Sequence, residues 1–281
     1  MPELPEVETI KNDLKQLVLG RRIDRAYVLA AKLVTHPSTD RFQEELAQQR
    51  ILAVERRGKL LLLRLSSGKI LVIRLTLTGE LLLAEPQEPT AGSTRMVIEL
   101  NDGRQLRLVD RMHLARASLL GEADLAERLA ELGPEANSPD FTQEEFTHLL
   151  RSHGRQIKAL LLDQHAIAGL GSIYTDEALF AARVHPMRPA NGLTDEEAGR
   201  LYKAIRRILA AAIAQRGTSY RAYRDVLGRK GHYQDQLKVV GREGQRCDGC
   251  GGTVQRIWVG SRETFLCPSC QLLEKPEQKA A

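Results

Sequence analysis

Near the end of the chain stand Cys247-Asp248-Gly249-Cys250 and, after sixteen intervening residues, Cys267-Pro268-Ser269-Cys270. These two pairs contain every cysteine of the sequence. Cysteines spaced two apart, in two such pairs, suit tetrahedral coordination of zinc by four thiolates. Each pair forms a knuckle, and the residues between can make a β-hairpin. Four protein ligands leave no open coordination position, so the expected zinc is structural, one per chain. The clustering argues against a disulfide framework.

Upstream of this module the pattern is helical. Phe141 to Leu150, Ile157 to Leu162, Ile173 to Ala182 and Thr194 to Ala214 carry apolar residues at helical spacing. Between the second and third runs lies Gln164-His165-Ala166-Ile167-Ala168-Gly169-Leu170-Gly171-Ser172-Ile173-Tyr174. Two close glycines let backbone approach a ligand, and the following helix presents free N–H groups, which together suit a DNA phosphate. Ser172 is the expected N-cap. Taken alone, the segment reads equally as an ordinary helix–helix turn. Residues 217–235, rich in Gly, Tyr and Arg, read as a long loop.

A linker, Gly133-Pro134-Glu135-Ala136-Asn137-Ser138-Pro139, separates this half from a β-like one. Residues from about 23 to 120 fall into short runs such as Lys59 to Leu65, Lys69 to Leu75, Met96 to Leu100 and Gln105 to Val109. Ser66-Ser67-Gly68 and Asn101-Asp102-Gly103 mark turns between them. Many short strands with tight turns predict an antiparallel sandwich. Residues 5–19 read as a helix, with Val7, Ile10, Leu14, Leu17 and Val18 in phase and Gly20 as the stop.

The chain has 281 residues, enough for two or three modules, and 42% are hydrophobic. Aromatics make up only 4%, so the core must be built from Leu, Ile, Val and Ala. No apolar run approaches the ~20 residues that span a bilayer. MPELPEVETI has no secretory pattern, so a cytoplasmic location away from membranes is expected. Net charge is +5, but Lys203 to Arg246 holds eleven Lys/Arg against three Asp/Glu, a local +8. Such a block suits a polyanion partner, and it also reads as a solvated helix face.

At the other end is Pro2-Glu3-Leu4-Pro5-Glu6. Loss of Met1 would expose the secondary amine of Pro2. Such an amine attacks an aldehyde-like carbon and gives an iminium cation, an electron sink for elimination at the neighbouring carbon. An α-amine is easier to keep neutral than a lysine, at roughly 8 against 10.4, and the adjacent helix start favours the neutral form. Glu3 stands beside it as a proton shuttle. By itself the segment also reads as an ordinary helix start, where Pro and Glu are favoured.

These three features, in this order, resemble the formamidopyrimidine-DNA glycosylase and endonuclease VIII family, closest to the formamidopyrimidine-DNA glycosylase branch. PELPEVET resembles the family opening, LLLDQHAIAGLGSIYTDEALF its helix–two-turn–helix motif, and LKVVGREGQRCDGCGG with VGSRETFLCPSCQ its zinc finger. The resemblance runs essentially end to end. It implies a multidomain α+β fold with an N-terminal antiparallel β-sandwich flanked by helices at 1–133. A helix–two-turn–helix domain with a lesion-capping loop follows at 134–236, and a β-hairpin zinc finger with its tail at 237–281. It also implies a monomer acting on double-stranded DNA that contains damaged bases or abasic sites, as a glycosylase and AP lyase of base excision repair.

In that resemblance Pro2 is the Schiff-base nucleophile, Glu3 the proton shuttle and Glu6 a supporting carboxylate. Lys59, in Arg57-Gly58-Lys59, matches the hairpin lysine that contacts phosphate and assists elimination. Arg262 matches the finger arginine that grips the phosphates flanking the lesion. Lys158 and Ser172 fall where phosphate contacts are expected, and Ser219 to Tyr233 resembles the lesion-capping loop of the formamidopyrimidine branch, which endonuclease VIII proteins largely lack. The strand-opposite reader departs from the family pattern. Leu77 stands where a Met wedge is usual, Met112 where an arginine reads cytosine, Leu114 where an aromatic stacks, and Arg95 where a His often contacts DNA. Apolar side chains can fill the void of a flipped base but cannot hydrogen-bond cytosine. His113 offers either a replacement contact or a structural strand histidine. Endonuclease VIII-like or other lesion specificity, and a non-catalytic damaged-DNA-binding protein, stand as the alternatives.

Overall fold

The computed structural model describes residues 2–220 and 223–273. They fall into two compact units, one within residues 1–132 and 212–234 and one within 133–211 and 235–281. Among the described residues, no helix is long and apolar enough to cross a membrane.

The first unit opens with α1 (Leu4–Leu17), whose Val7, Ile10 and Leu14 are wholly buried. The chain turns at Gly20, at φ +76°. A four-stranded sheet follows the order β1 (Ile23–Val28), β7 (Thr94–Leu100), β8 (Gln105–Asp110), β6 (Gly79–Ala84). A five-stranded sheet follows the order β2 (Val34–His36), β9 (Arg116–Leu120), β5 (Ile70–Arg74), β4 (Leu60–Leu65), β3 (Ile51–Arg57). Inner-face residues of both sheets, among them Leu61, Leu63, Ile73, Ile98 and Leu108, share one core with α1. The anticipated turns at Gly68 and Gly103 are present, both at positive φ.

One pairing departs from the antiparallel reading. β2 pairs with β9 in parallel, a pairing that the long intervening stretch of α2 (Thr39–Leu46) and β3 to β8 allows. A helix, α3 (Glu122–Ala130), also follows β9. Its Leu125 packs on Leu60, Leu62, Ile70 and Val72, the outer face of β4 and β5. The run Leu60-Leu61-Leu62-Leu63 is therefore apolar without alternation because both of its faces are covered.

The second unit contains α4 (Gln143–Arg151), α5 (Ile157–Leu162), α6 (Ser172–Ala182) and most of α7 (Asp195–Ala214). Thr142 and Glu145 form a reciprocal capping box on α4, and Thr194 and Glu197 repeat it before α7. A hairpin of β10 (Gln255–Val259) and β11 (Arg262–Leu266) completes the unit, with Val259 opposite Arg262. Trp258, on β10, is 66% exposed.

Candidate active site

Pro2, Glu3 and Glu6 are all buried at the start of α1. Glu3 is the N-cap, and its N–H donates to Glu6 Oε2 at 2.7 Å. The other carboxylate oxygen of Glu6 accepts from the N–H of Thr218 at 2.8 Å. Glu6 thus ties the residue after Pro2 to the root of the long loop. Gly217 makes this approach feasible. It sits at φ +83°, and a Cβ there would stand 2.7 Å from Glu6 Oε1.

The loop itself is firmly rooted. Tyr223 and Val226 lie in the sandwich core, and Leu83 of β6 donates its N–H to Val226 O at 2.8 Å. Arg216 bridges Asp13 and Asp225 at 2.6 and 2.5 Å. Burial alone would raise the Asp225 carboxyl. Hydrogen bonds from Arg229 N–H, Arg216 and the Arg229 side chain outweigh it and hold the group below the usual carboxylate range. The part of the expected capping loop at 221–222 lies outside the described residues.

Lys59 occupies the two-residue turn between β3 and β4, after Gly58 at φ +56°. Arg56 fixes this turn. Its guanidinium donates to Gly58 O at 3.0 Å and pairs with Glu8 of α1 at 2.8 Å. Burial pushes Glu8 up, but the bonds from Lys11 and Arg56 prevail, so its carboxyl sits below its ordinary value.

Leu77, Met112 and Leu114 are exposed, at 41%, 53% and 36%, on two loops of the first unit. Asp110, fully buried, locks those loops together. Its carboxylate accepts from the Thr78 hydroxyl, from Met112 N–H at 3.2 Å and from Ala115 N–H at 2.7 Å. Met112 N–H also reaches Thr78 Oγ1 at 3.1 Å. Burial would lift the Asp110 carboxyl, yet these donors keep it below the usual range. Arg95 Nε donates to Asp110 O at 2.8 Å, so Arg95 braces the same corner. His113 is not a strand residue. It is exposed in the turn at φ +57°, because the chain must reverse between Met112 and Ala115 to satisfy Asp110.

In the second unit, Gln164 organises the glycine loop. Its side chain accepts from Gly169 N–H and donates to Leu162 O and Leu170 O, each at 3.0 Å. Gly171 is the N-cap of α6, and Ser172 is the first helical residue, which corrects the expected cap. A glycine in extended backbone there leaves Ser172 half-buried one step into the helix.

Lys158 is wholly buried, which corrects the expectation of a direct phosphate contact. Its ammonium lies 2.6 Å from Asp176 Oδ1 and donates to Glu263 O at 2.9 Å and Thr264 Oγ1 at 2.7 Å. A fully desolvated lysine needs such partners and offers no face to a polyanion. Arg262 begins β11 and is exposed.

The four cysteine sulfurs lie within 4.8 Å of one another. Cys247 and Cys270 Sγ are 3.8 Å apart, and Cys250 and Cys267 Sγ 3.5 Å apart. Zn–S bonds of ~2.3 Å give tetrahedral edges of about 3.8 Å, so the residues fit zinc. The N–H groups of Gly249 and Gly252 point at Cys247 and Cys250 Sγ, each at 3.4 Å, and favour thiolates. The cysteines hold one structural zinc, which supplies folding energy to the finger.

Sequence reasoning missed Asp110, Asp176, Glu177 and Thr218. Each makes a hydrogen bond to a residue distant in the chain, Asp110 to the Thr78 hydroxyl and the other three through main-chain N–H groups, and spacing carries no signal of such pairing.

The chain matches three family models in order. These are the formamidopyrimidine-DNA glycosylase N-terminal domain over residues 1–117, the H2TH domain of the same enzyme over 132–223, and the zinc finger found in FPG and IleRS over 244–272. It is 42% identical to the formamidopyrimidine-DNA glycosylase of Chloroflexus aurantiacus, over 99% of this chain and all of that one. The enzyme of the same name from Symbiobacterium thermophilum is 42% identical, over 96% of this chain and 89% of the relative. Among solved structures, Lactococcus lactis Fpg in complex with abasic-site DNA superposes with a TM-score of 0.92 at 32% identity, covering 96% of this chain and all of that one. A mutant of that protein, bound to Fapy-dG DNA, gives 0.92 at 31%, over 97% of this chain and all of that one. The chain belongs to the formamidopyrimidine-DNA glycosylase family.

Proposed function

We propose that this chain is a bifunctional DNA glycosylase and AP lyase of base excision repair, acting on oxidised bases, mainly purines, in the cytoplasm. The observation that carries the reading is the buried start of α1, where Glu3 and Glu6 flank Pro2 and Glu6 is spent on two backbone N–H groups. Loss of Met1 frees the Pro2 amine. Its nitrogen attacks C1′, the glycosidic bond breaks, and the base leaves with a proton. Glu3 protonates the opening sugar ring oxygen and then moves protons for the eliminations. The Pro2 iminium accepts the electron pair of the C2′–H bond as that proton is removed, and the resulting enamine expels the 3′ phosphate, which leaves with the C3′–O electrons; loss of the C4′ proton from the conjugated product expels the 5′ phosphate in the same way. Lys59 and Arg262 hold flanking phosphates and assist elimination, and Ser172 and the adjacent N–H groups hold a further phosphate. Leu77, Met112 and Leu114 fill the gap left by the flipped nucleotide.

The relatives' names and the abasic-site and Fapy-dG ligands of the Lactococcus lactis complexes support this substrate class. Borohydride reduction during reaction with abasic-site DNA should trap one covalent adduct, and peptide mapping should locate it on residue 2. Mapping to Lys59, or an active protein that retains Met1, would defeat the mechanism.

A further inference from the structure

Three consecutive residues after Arg262 are held by one buried ion pair. Lys158 donates to Glu263 O and Thr264 Oγ1. Asp176, 2.6 Å from the same ammonium, accepts Phe265 N–H at 3.0 Å. Thr264 Oγ1 in turn donates to the carbonyl of Arg262 itself at 3.0 Å. The next residue of α6, Glu177, accepts the N–H groups of Lys238, Val239 and Val240 at 2.9 to 3.1 Å, gripping the chain that leads into the finger.

A two-stranded hairpin is marginal alone, and the cysteines fix only the knuckle side of this one. A buried ion pair is poor support for stability as such, since apolar side chains of equal volume serve as well. Apolar side chains cannot, however, fix main-chain positions by directional bonds. α6 also starts at Ser172, one turn before Asp176. Both expected phosphate grips of this unit, Ser172 and Arg262, are therefore referenced to one helix.

We propose that Lys158 and Asp176 are positioning residues that hold the Arg262 hairpin and so govern completion of the last elimination. The proposal rests on the Arg262 role given above. Neither residue touches DNA; both act through β11.

The test follows cleavage of an abasic-site duplex by zinc-loaded protein and measures the ratio of δ- to β-elimination products. Asp176→Asn and Thr264→Val are compared in the wild-type and Arg262→Ala backgrounds. Asp176→Asn should lower the ratio by about tenfold, as expected for a misplaced catalytic group, while zinc stays at one per chain. Thr264→Val keeps the ion pair but loses the bonds to Lys158 and Arg262, and should lower the ratio by a smaller factor. It carries the test if Asp176→Asn does not fold. Both effects should vanish in the Arg262→Ala background, because residues acting through one group are not additive. If Arg262→Ala shifts the ratio and neither variant does, or if their effects persist without Arg262, the positioning role is wrong. If Arg262→Ala leaves the ratio unchanged, the Arg262 role itself fails and takes this proposal with it.

Discussion

The start of α1 and the two loops that present Leu77, Met112 and Leu114 are built on opposite plans. At Pro2–Glu6 the side chains are buried, and the Glu6 carboxylate fixes the segment through the Glu3 and Thr218 N–H groups. In the two loops the side chains face solvent, and it is the backbone beneath them that Asp110 and Thr78 hold. A buried carboxylate spent on N–H groups cannot be exchanged without leaving those donors unpaired. An exposed apolar side chain on a pinned loop can be exchanged at little structural cost. The chemistry of the first region is therefore confined by the fold. The second can change its exposed side chains, proposed above to fill the gap of the flipped nucleotide, while keeping its shape.

The contrast breaks most sharply at Glu3. Glu3→Gln keeps size but cannot shuttle a proton, so base excision from a lesion duplex should fall by about 10² or more, the scale of general acid–base catalysis. Cleavage of a preformed abasic site should partly survive, since that sugar already offers a reactive aldehyde. Single-turnover rates on the two substrates decide the point, and equal losses on both would refute the division of roles.

Asp110 tests the other plan. Asp110→Ala removes the acceptor of three donors, one of them the Ala115 N–H that lies in the core. A loss of about 2–4 kcal/mol in unfolding free energy is expected, from ~1–3 kcal/mol for each buried donor left unpaired. Leu77→Ala, on the same platform, should stay within about 1 kcal/mol. Urea titrations of the two variants give the comparison, and equal destabilisation would mean that the exposed side chains carry the loops after all.

The smallest effect concerns the orphaned base. A bidentate arginine contact supplies about 1–3 kcal/mol of discrimination. With Met112 in place of the cytosine-reading arginine and Leu114 in place of the stacking aromatic, cleavage of one lesion opposite each of the four bases should differ by less than about fivefold. A strong cytosine preference would point to a neighbouring donor, with exposed His113 first in line.

Legibility in the sequence followed the same divide. Helix α1, helices α4 to α7, the Gly68 and Gly103 turns and the cysteine cluster follow from periodicity, turn chemistry and spacing, which are local signals. The parallel pairing of β2 with β9 does not, because it depends on where the intervening strands lie. α3 left one trace, the unalternated Leu60–Leu63 run, which requires a cover on each face. Lys158 is the instructive error. The resemblance implied a phosphate contact there, and only the packing reveals that its charge is consumed by Asp176 and β11. The basic block likewise looks freer in sequence than in structure. Arg216, Arg229, Lys238 and Arg242 are all paired with Asp225 or Asp248.

Trp258 is the sole tryptophan of the chain, and it lies exposed on the finger hairpin. Selectively excited tryptophan emission is consequently a local reporter. It records events at the hairpin, such as metal loss or contact with a quenching nucleobase, against no background from the sandwich. Melting of the sandwich core, which has no indole of its own, should be silent in that channel and has to be followed by circular dichroism.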